Sequence, residues 1–288
     1  MSAAPSDVHG RISRLFIYPV KSCGGVELQE AVLTETGLEF DRAWMVVDEQ
    51  GEFVSQRELP RMALIVPKMR FHDMVLRAPG MLALHIALDA VEQPCKVRVW
   101  DDEVSAYDMG DTAAQWISDF LGQKLRLARF DPDVRRLSSL QWTRGVEALN
   151  QFSDGYPLLV ASEASLDGLN ARLANAGHAP VGIERFRPNV VLVGVEAHDE
   201  DRLASLRIDT GDAPVELLPV KPCARCPIPN VDPATGQSSP AVGDALQAYR
   251  QDARLNGAVT FGMNVIVTAG LEQVLRVGQP VAGNYAFD

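Results

Sequence analysis

Short segments rich in Val, Ile and Leu recur along this sequence, and they constrain its fold more than any other feature. Gly, Pro, Asp or Asn residues separate each segment from the next, which is typical of β-strands. The first hundred residues contain RISRLFIYPV, VELQEAVLT, RAWMVVDE, ALIVPKMR, MVLRA, LALHIAL and CKVRVW. These segments do not alternate with helices, and the chain has no internal repeat. The pattern therefore predicts a β-rich α+β fold with barrel-like or sandwich-like sheets and a few helices.

Three segments have the apolar spacing and the terminal residues of helices. Residues 112–122 follow two candidate N-caps, Asp111 and Thr112, and end at a glycine. Residues 162–177 can be capped by Ser162 or Ser165, and they also end at a glycine. Residues 243–250 predict a shorter helix. Later strands are predicted in PLLVAS, FRPNVVLVG, SLRID, VELLPV, VTFGMNVIVTAG and VLRVGQPV.

The segment 130–156 is less regular, and we interpret it as a long connection. Such connections are often functional or mobile, although a surface insertion without a function is an equal alternative. The chain has 288 residues, which suffices for one large domain or two ordinary ones. A boundary within 122–156 would divide it into two barrel-like lobes.

The charge of the chain excludes some classes of function. The net charge is −11 and the isoelectric point is about 5.0, which argues against a nucleic-acid-binding surface. No apolar run approaches the roughly 20 residues that cross a bilayer, and the first residues lack the pattern of a signal peptide. We therefore expect a cytoplasmic protein without a membrane anchor, in which the four cysteines are reduced.

Two of the cysteines form a C-x-x-C pair, Cys223 and Cys226, within KPCARCPIPNVDPATG. A zinc site needs four Cys or His ligands, and the five histidines show no ligand spacing. A redox pair normally opens a helix, which Pro227 and Pro229 oppose. Two buried thiols on a loop are another possibility. The last alternative is one thiolate on a soft metal centre, favoured by the neighbouring Arg225, but the spacing does not decide which cysteine would bind.

Several segments in a fixed order resemble the MOSC family, in particular its bacterial members and the mitochondrial amidoxime-reducing component. The resemblance spans residues 11 to 283, and its strongest part is FRPN followed by C-x-R-C and VDPxTG. The segments are IYPVKSCGG, GLEFDRAWMVVDEQG, SEASLDGLN, RFRPNVVLVG and KPCARCPIPNVDPATG. The implied architecture is a MOSC-N β-barrel-like region over residues 1–125, whose first strands contribute to the site, and a MOSC β-barrel over residues 126–288.

The resemblance also implies a bound molybdenum cofactor in its molybdopterin form. Cys226 would coordinate the metal as the catalytic ligand, and Cys223 would be a structural neighbour. Arginine suits the dianionic phosphate of the cofactor, and a helix N-terminus at Ser162 could add donors. Arg57 is a further candidate contact to substrate or cofactor. The implied cofactor-binding residues are Lys21, Ser22, Arg42, Ser162, Arg187 and Asn189.

Each of these residues also has an ordinary structural explanation. Lys21 could be a solvated strand end, Arg42 could pair with an aspartate, Arg187 could be a strand-edge charge, and Asn189 could complete a turn. Their order along the chain favours a shared site. Because the residues come from both ends of the chain, the N-terminal segment should return to the C-terminal barrel.

The implied reaction is the two-electron reduction of small N-hydroxylated compounds, with oxygen transfer to molybdenum. The four cysteines cannot supply both a plant-type iron–sulfur cluster and the molybdenum ligand. We therefore expect electrons from a separate flavoprotein, ferredoxin or cytochrome. The run Pro227-Ile228-Pro229-Asn230 departs from the less proline-rich family loop, which puts the substrate range in question. The alternative functions are a carrier of molybdenum cofactor or sulfur and a scaffold without metal.

Overall fold

The chain folds mainly into β-strands, and the computed structural model describes residues 6–91 and 93–286. Three α-helices lie in the described residues: α1 (Gly110–Leu121), α2 (Glu163–Asn175) and α3 (Ala241–Gln247). The prediction of a β-rich α+β fold with a few helices is confirmed. The strands are β1 (Val8–Ile17), β2 (Val26–Leu28), β3 (Glu30–Thr34), β4 (Gly37–Leu38), β5 (Trp44–Val47), β6 (Val66–Met69), β7 (Asp73–Arg77), β8 (Leu84–Ala87), β9 (Gln93–Val99), β10 (Asp102–Asp108), β11 (Arg126–Phe130), β12 (Leu158–Ser162), β13 (Val190–Val193), β14 (Leu203–Ile208), β15 (Val215–Ala224), β16 (Gln251–Asp252), β17 (Ala258–Ala269), β18 (Val274–Arg276) and β19 (Pro280–Tyr285).

Seven of these strands close into a barrel. Their order is β12-β13-β1-β19-β14-β15-β17, and β17 pairs back with β12 where Leu158 lies opposite Val265. Closure gives each barrel strand a hydrogen-bonded neighbour on both sides. The barrel core is apolar, with fully buried Leu15, Val160 and Val265 among its members.

The N-terminal strand is part of this C-terminal barrel, as the scattered site residues predicted. β1 pairs with β13 and with β19 in antiparallel register, and Arg11 lies opposite both Val193 and Pro280. Residues from the two ends of the chain therefore meet in one sheet.

A second sheet has the order β5-β11-β10-β9 and packs with α1 around the buried Trp44. Its strand β11 begins at Arg126, just beyond the end of the predicted N-terminal region, yet it pairs with β5 and β10. Two three-stranded sheets, β6-β7-β8 and β18-β3-β4, complete the sheets of the described chain. In those residues, no helix has both the length and the apolar character needed to cross a bilayer.

Some element ends differ from the sequence predictions. The segment VELQEAVLT forms two strands because β2 pairs with β1, whereas β3 pairs with β18 and β4. Helix α1 begins earlier than predicted, at Gly110 after Met109, without a side-chain cap from Asp111 or Thr112. Its predicted end is confirmed, since Gly122 adopts a left-handed conformation with φ 79°.

Candidate functional site

A cavity of about 220 Å³ is lined by barrel residues, by the long connection before β12 and by loops after β1 and β5. Most of the predicted site residues line it, although they lie far apart in the sequence. Arg57 and Cys223 line it as well. The predicted residues that the structure brings together here are Lys21, Ser22, Arg42, Arg187, Asn189 and Cys226.

Three of these residues have an unusual backbone conformation. Ser22, Arg42 and Arg187 have φ values of 64°, 52° and 58°, in the left-handed region that L-residues seldom adopt. Such conformations cost free energy and occur most often where the fold must aim a side chain at a functional site. The local backbone therefore directs side chains from three separate loops to the same cavity.

Arg42 and Arg187 form a largely buried pair of arginines, and Arg42 also forms an ion pair with the buried Asp41. Their guanidinium carbons lie 4.5 and 4.2 Å from the ring centroid of Tyr18. Arg42 Nη2 donates a hydrogen bond to the carbonyl of Arg187 at 3.0 Å, and Arg187 Nη1 donates to the carbonyl of Cys23 at 2.6 Å. Burial and the charge of Arg42 together lower the pKa of Arg187 to about 10.

One nitrogen of this pair lacks a partner. Arg187 Nη2 is buried and makes no hydrogen bond with any described residue. A buried charged donor without a partner costs free energy, and a neighbouring cation raises that cost. An anion bound in the cavity would reduce the repulsion between the two guanidinium groups that line it.

Asn189 positions the pair. Its side-chain oxygen accepts hydrogen bonds from the backbone amide of Leu159 at 3.0 Å and from Arg42 Nη1 at 3.3 Å. Its amide nitrogen donates to the carbonyl of Phe16 at 3.2 Å. The fully buried side chain thus joins β1, β12 and the start of β13, and it holds Arg42 at the cavity.

Lys21 extends the cationic surface and has an acidic partner in the cavity wall. Its ammonium group donates to the carbonyl of Phe152 at 2.8 Å and to the carboxylate of Asp154. Burial lowers the pKa of Lys21, although Asp154 opposes this effect. The Asp154 side chain is 65% exposed, and Lys21, Trp100 and Arg42 hold the pKa of its carboxylate well below the usual range.

The cysteine loop forms another wall. Cys226 follows β15, is half-buried and faces the cavity. Arg225 Nη1 lies 2.9 Å from the sulfur of Cys223, and Arg225 Nη2 donates to the carbonyl of Phe186 at 3.0 Å. Cys223 is therefore in contact with a cation, whereas no hydrogen bond engages the sulfur of Cys226 within the described chain. That chain contains no cluster of three His, Cys, Asp or Glu side chains that could hold a metal ion.

Ser162 lies elsewhere. Its hydroxyl accepts a hydrogen bond from the amide of Ser165 at 3.1 Å, as the N-cap of α2, and donates to Glu200 at 3.0 Å. The side chain is fully buried and does not line the cavity. The capping role predicted for Ser162 is confirmed. Its contacts do not bring it to the other candidate cofactor-binding residues.

Glu200, the partner of Ser162, makes the stability of the fold depend on pH. Burial raises its pKa to about 7 from an ordinary 4.5, and nearby Asp201 adds to this rise. The folded protein therefore binds a proton more tightly than the unfolded chain between pH 4.5 and 7. Stability from this group is complete below pH 4.5 and is lost as pH rises to 7.

We expect Glu200→Gln to remove this dependence. The wild-type protein should lose on the order of 2 kcal/mol relative to the variant between pH 5 and pH 8. Urea unfolding of both proteins at the two pH values measures the difference, and other titrating groups cancel because both proteins contain them. Equal losses in the two proteins would show that Glu200 ionises normally in the fold.

Sequence patterns alone missed several residues around the cavity. Tyr18 lies within the quoted segment IYPVKSCGG, and both arginines lie over its ring. In the sequence it reads as an ordinary strand residue. Phe53 and Trp100 read as strand or turn residues. In the sequence, Asp154 reads only as a carboxylate in a probable loop. The irregular composition of 130–156 was the only sequence signal for this connection, part of which lines the cavity.

The connection is itself rigidly held. Arg136, which is buried, donates from Nη1 to the carbonyls of Gln151 and Ser153, both at 2.7 Å. It also donates from Nε to Asp102 at 2.8 Å. These bonds fix the residues around Asp154 against the second sheet, so the connection contributes a defined wall.

The fold and the cavity together indicate a class of β-barrel proteins with a thiol beside a cationic cavity. Two protein-family models match the chain. The model described as the MOSC N-terminal beta barrel domain matches residues 9–124, and the model described as the MOSC domain matches residues 148–282. The chain belongs to the MOSC family.

Curated relatives extend over most of the chain. Mitochondrial amidoxime-reducing component 1 from Mus musculus is 38% identical over 251 residues, which cover 84% of this chain and 72% of the relative. The human protein of the same name is 36% identical over 287 residues, with 94% and 82% covered. The molybdenum cofactor sulfurase of Bos taurus is 30% identical over 257 residues, which cover 83% of this chain and 29% of that protein.

Proposed function

We propose that this protein binds the molybdenum cofactor and reduces N-hydroxylated compounds. The observation that carries the proposal is a single cavity lined by Arg42, Arg187 and Cys226. This arrangement offers both a site for an anion and a sulfur ligand for a soft metal. The names of the amidoxime-reducing relatives support the reaction.

The residues present fit the cofactor, which has a dithiolene, a pterin and a terminal phosphate. Arg42 and Arg187 would bind the phosphate, because guanidinium groups donate paired hydrogen bonds to phosphate oxygens. Ser22 lines the same cavity and could donate from its hydroxyl. Cys226 would supply the protein thiolate to molybdenum. Asn189 would act indirectly by holding Arg42.

The bound cofactor would supply a metal centre that exchanges two electrons and accepts an oxygen atom. The chain would hold that centre and control its surroundings. Lys21 would keep a positive charge beside it through the contact with Asp154. Phe53 and Leu159 would exclude water from part of the cavity. A separate electron-transfer protein would deliver the two electrons, and the product would be the reduced nitrogen compound and water.

The test is the content of molybdenum and pterin in protein purified from a host that makes the cofactor. We expect close to one of each per chain, and turnover of benzamidoxime with a chemical electron donor. A protein free of both, from a host that loads another molybdenum enzyme, would contradict the proposal.

The sulfurase relative supports a second candidate function, a carrier of cofactor or sulfur. A carrier would release its cofactor to an acceptor enzyme, whereas a reductase would retain it through many turnovers. Measuring the protein-bound molybdenum before and after incubation with a cofactor-free acceptor enzyme separates the two. Transfer without reduction of benzamidoxime would favour the carrier.

A further inference from the structure

Two aromatic rings and an arginine form one side of the cavity mouth, which we call the aromatic rim (Phe53, Arg57 and Trp100). The rings of Phe53 and Trp100 are tilted by 60°, with centroids 5.0 Å apart. The guanidinium carbon of Arg57 lies 4.7 Å from the Trp100 centroid and 5.6 Å from that of Phe53. Phe53 and Arg57 line the cavity directly.

Trp100 is held in an unusual position for a large apolar side chain. It lies in the turn between β9 and β10, its φ is 56°, and 44% of it is exposed. Its indole nitrogen lies 3.1 Å from Oδ1 of Asp154, the carboxylate that also accepts from Lys21. A strained, exposed tryptophan tied to a cavity residue is more consistent with ligand binding than with core packing.

Arg57 has free donors at this position. Its side chain is 20% exposed and lies 3.6 Å from Glu58, too far for a hydrogen bond. Glu58 is itself engaged by the amide and hydroxyl of Ser55. Within the described residues, the Arg57 guanidinium donates no hydrogen bond, so its planar donors can bind a group in the cavity mouth.

The charges around the cavity favour an anion there. Asp154 is the acidic residue among those that line it, and Lys21 and Trp100 already engage it. In the proposed function, the phosphate of the cofactor neutralises Arg42 and Arg187. Arg57 then remains as a cation beside two aromatic rings; its guanidinium donates no hydrogen bond within the described residues, and Glu58 lies 3.6 Å away.

We propose that the aromatic rim is a specificity element that selects N-hydroxylated substrates with a planar aromatic ring and an anionic substituent. The ring packs against Phe53 and Trp100, and Arg57 binds the anionic group. This inference rests on the proposed reductase function and adds the class of substrate that the site prefers.

The test compares four substrates at equal ionic strength: benzamidoxime, its 4-carboxy and 4-aminomethyl derivatives, and acetamidoxime, which has no ring. We expect kcat/KM to be highest for the carboxy derivative. Arg57→Ala should lower that value about tenfold or more, as expected for loss of a charge-assisted hydrogen bond, and change benzamidoxime much less. Arg57→Lys should recover part of the loss. Trp100→Ala should weaken the three ring substrates much more than acetamidoxime.

Binding without turnover gives a second measurement. With the electron donor omitted, the carboxy derivative should quench tryptophan fluorescence of the purified protein, and Trp100→Phe should remove most of this signal. Arg61→Ala is the matched control, since Arg61 stacks on Phe120 at 4.5 Å and does not line the cavity. It should bind and reduce all four compounds as the wild type does.

The outcomes separate the two proposals. Turnover with equal preference for the carboxy and aminomethyl derivatives, unchanged in Arg57→Ala, would overturn the aromatic rim as a specificity element and leave the reductase function intact. No turnover of any of the four compounds by protein that contains molybdenum and pterin would overturn the reductase function, and the inference about substrate with it.

Discussion

Replacing Cys226 with serine is expected to abolish reduction of N-hydroxylated compounds while the barrel remains folded. The proposed role of Cys226 is the protein ligand to molybdenum, and a hydroxyl is a harder donor that suits this metal less well. We expect kcat to fall more than about 100-fold. Mutating a residue that only hydrogen-bonds to a metal ligand already lowers metal affinity or activity about 10- to 100-fold. The measurements are turnover of benzamidoxime and the electronic spectrum of the bound metal.

Cys223→Ser is the matched control for this variant. Cys223 is three residues away on the same loop, and its sulfur is in contact with Arg225 rather than unengaged. This variant should keep its bound molybdenum and most of its activity. Full activity in Cys226→Ser, or equal losses in the two variants, would contradict the assignment of Cys226 as the ligand.

Arg187→Gln should lose the cofactor without losing the fold. The variant removes the unpaired donor and the repulsion with Arg42, but it also removes the hydrogen bond to the carbonyl of Cys23. These effects oppose each other, so the free energy of unfolding of cofactor-free protein should change by no more than about 1 kcal/mol. The molybdenum and pterin content should fall at least about tenfold, because a phosphate loses a charged partner.

The control for this experiment is Arg207→Gln. Arg207 lies on β14, is exposed and pairs with Glu216 away from the cavity. It should load cofactor as the wild type does. If Arg187→Gln bound as much pterin as the wild type, Arg187 would contribute to the fold and not to cofactor binding. A large drop in stability of the cofactor-free variant would point to the same conclusion.

Local signals in the sequence predicted most of the fold. Valine-rich segments between turn residues located strands such as β5 and β12, and Gly122 marked the end of α1 because its conformation requires no distant contact. The pairing of strands was harder to predict from the sequence. VELQEAVLT reads as one strand, and its division at Gln29 depends on pairing with β1 on one side and β18 on the other.

The family motifs predicted several residues that line the cavity. Lys21, Arg42, Arg187 and Cys226 line one cavity, although Arg187 and its partner Cys23 are 164 residues apart. No periodicity or spacing could have paired them.

Ser162 shows the limit of such motifs. A serine before a helix can either bind a ligand or cap the helix, and only its contacts with Ser165 and Glu200 distinguish these roles.

The pairing of β1 with β19 has a consequence for how the protein is made. Val8 lies opposite Gly283, so the barrel can close only after both β1 and β19 have left the ribosome. Until the barrel closes, Lys21 and Arg187 are not held at fixed positions relative to each other. Contacts between such distant residues form slowly, and the nascent chain should therefore have an incomplete cavity until β19 has been made. If the protein binds the cofactor as proposed, loading is expected only after β19 has been synthesised.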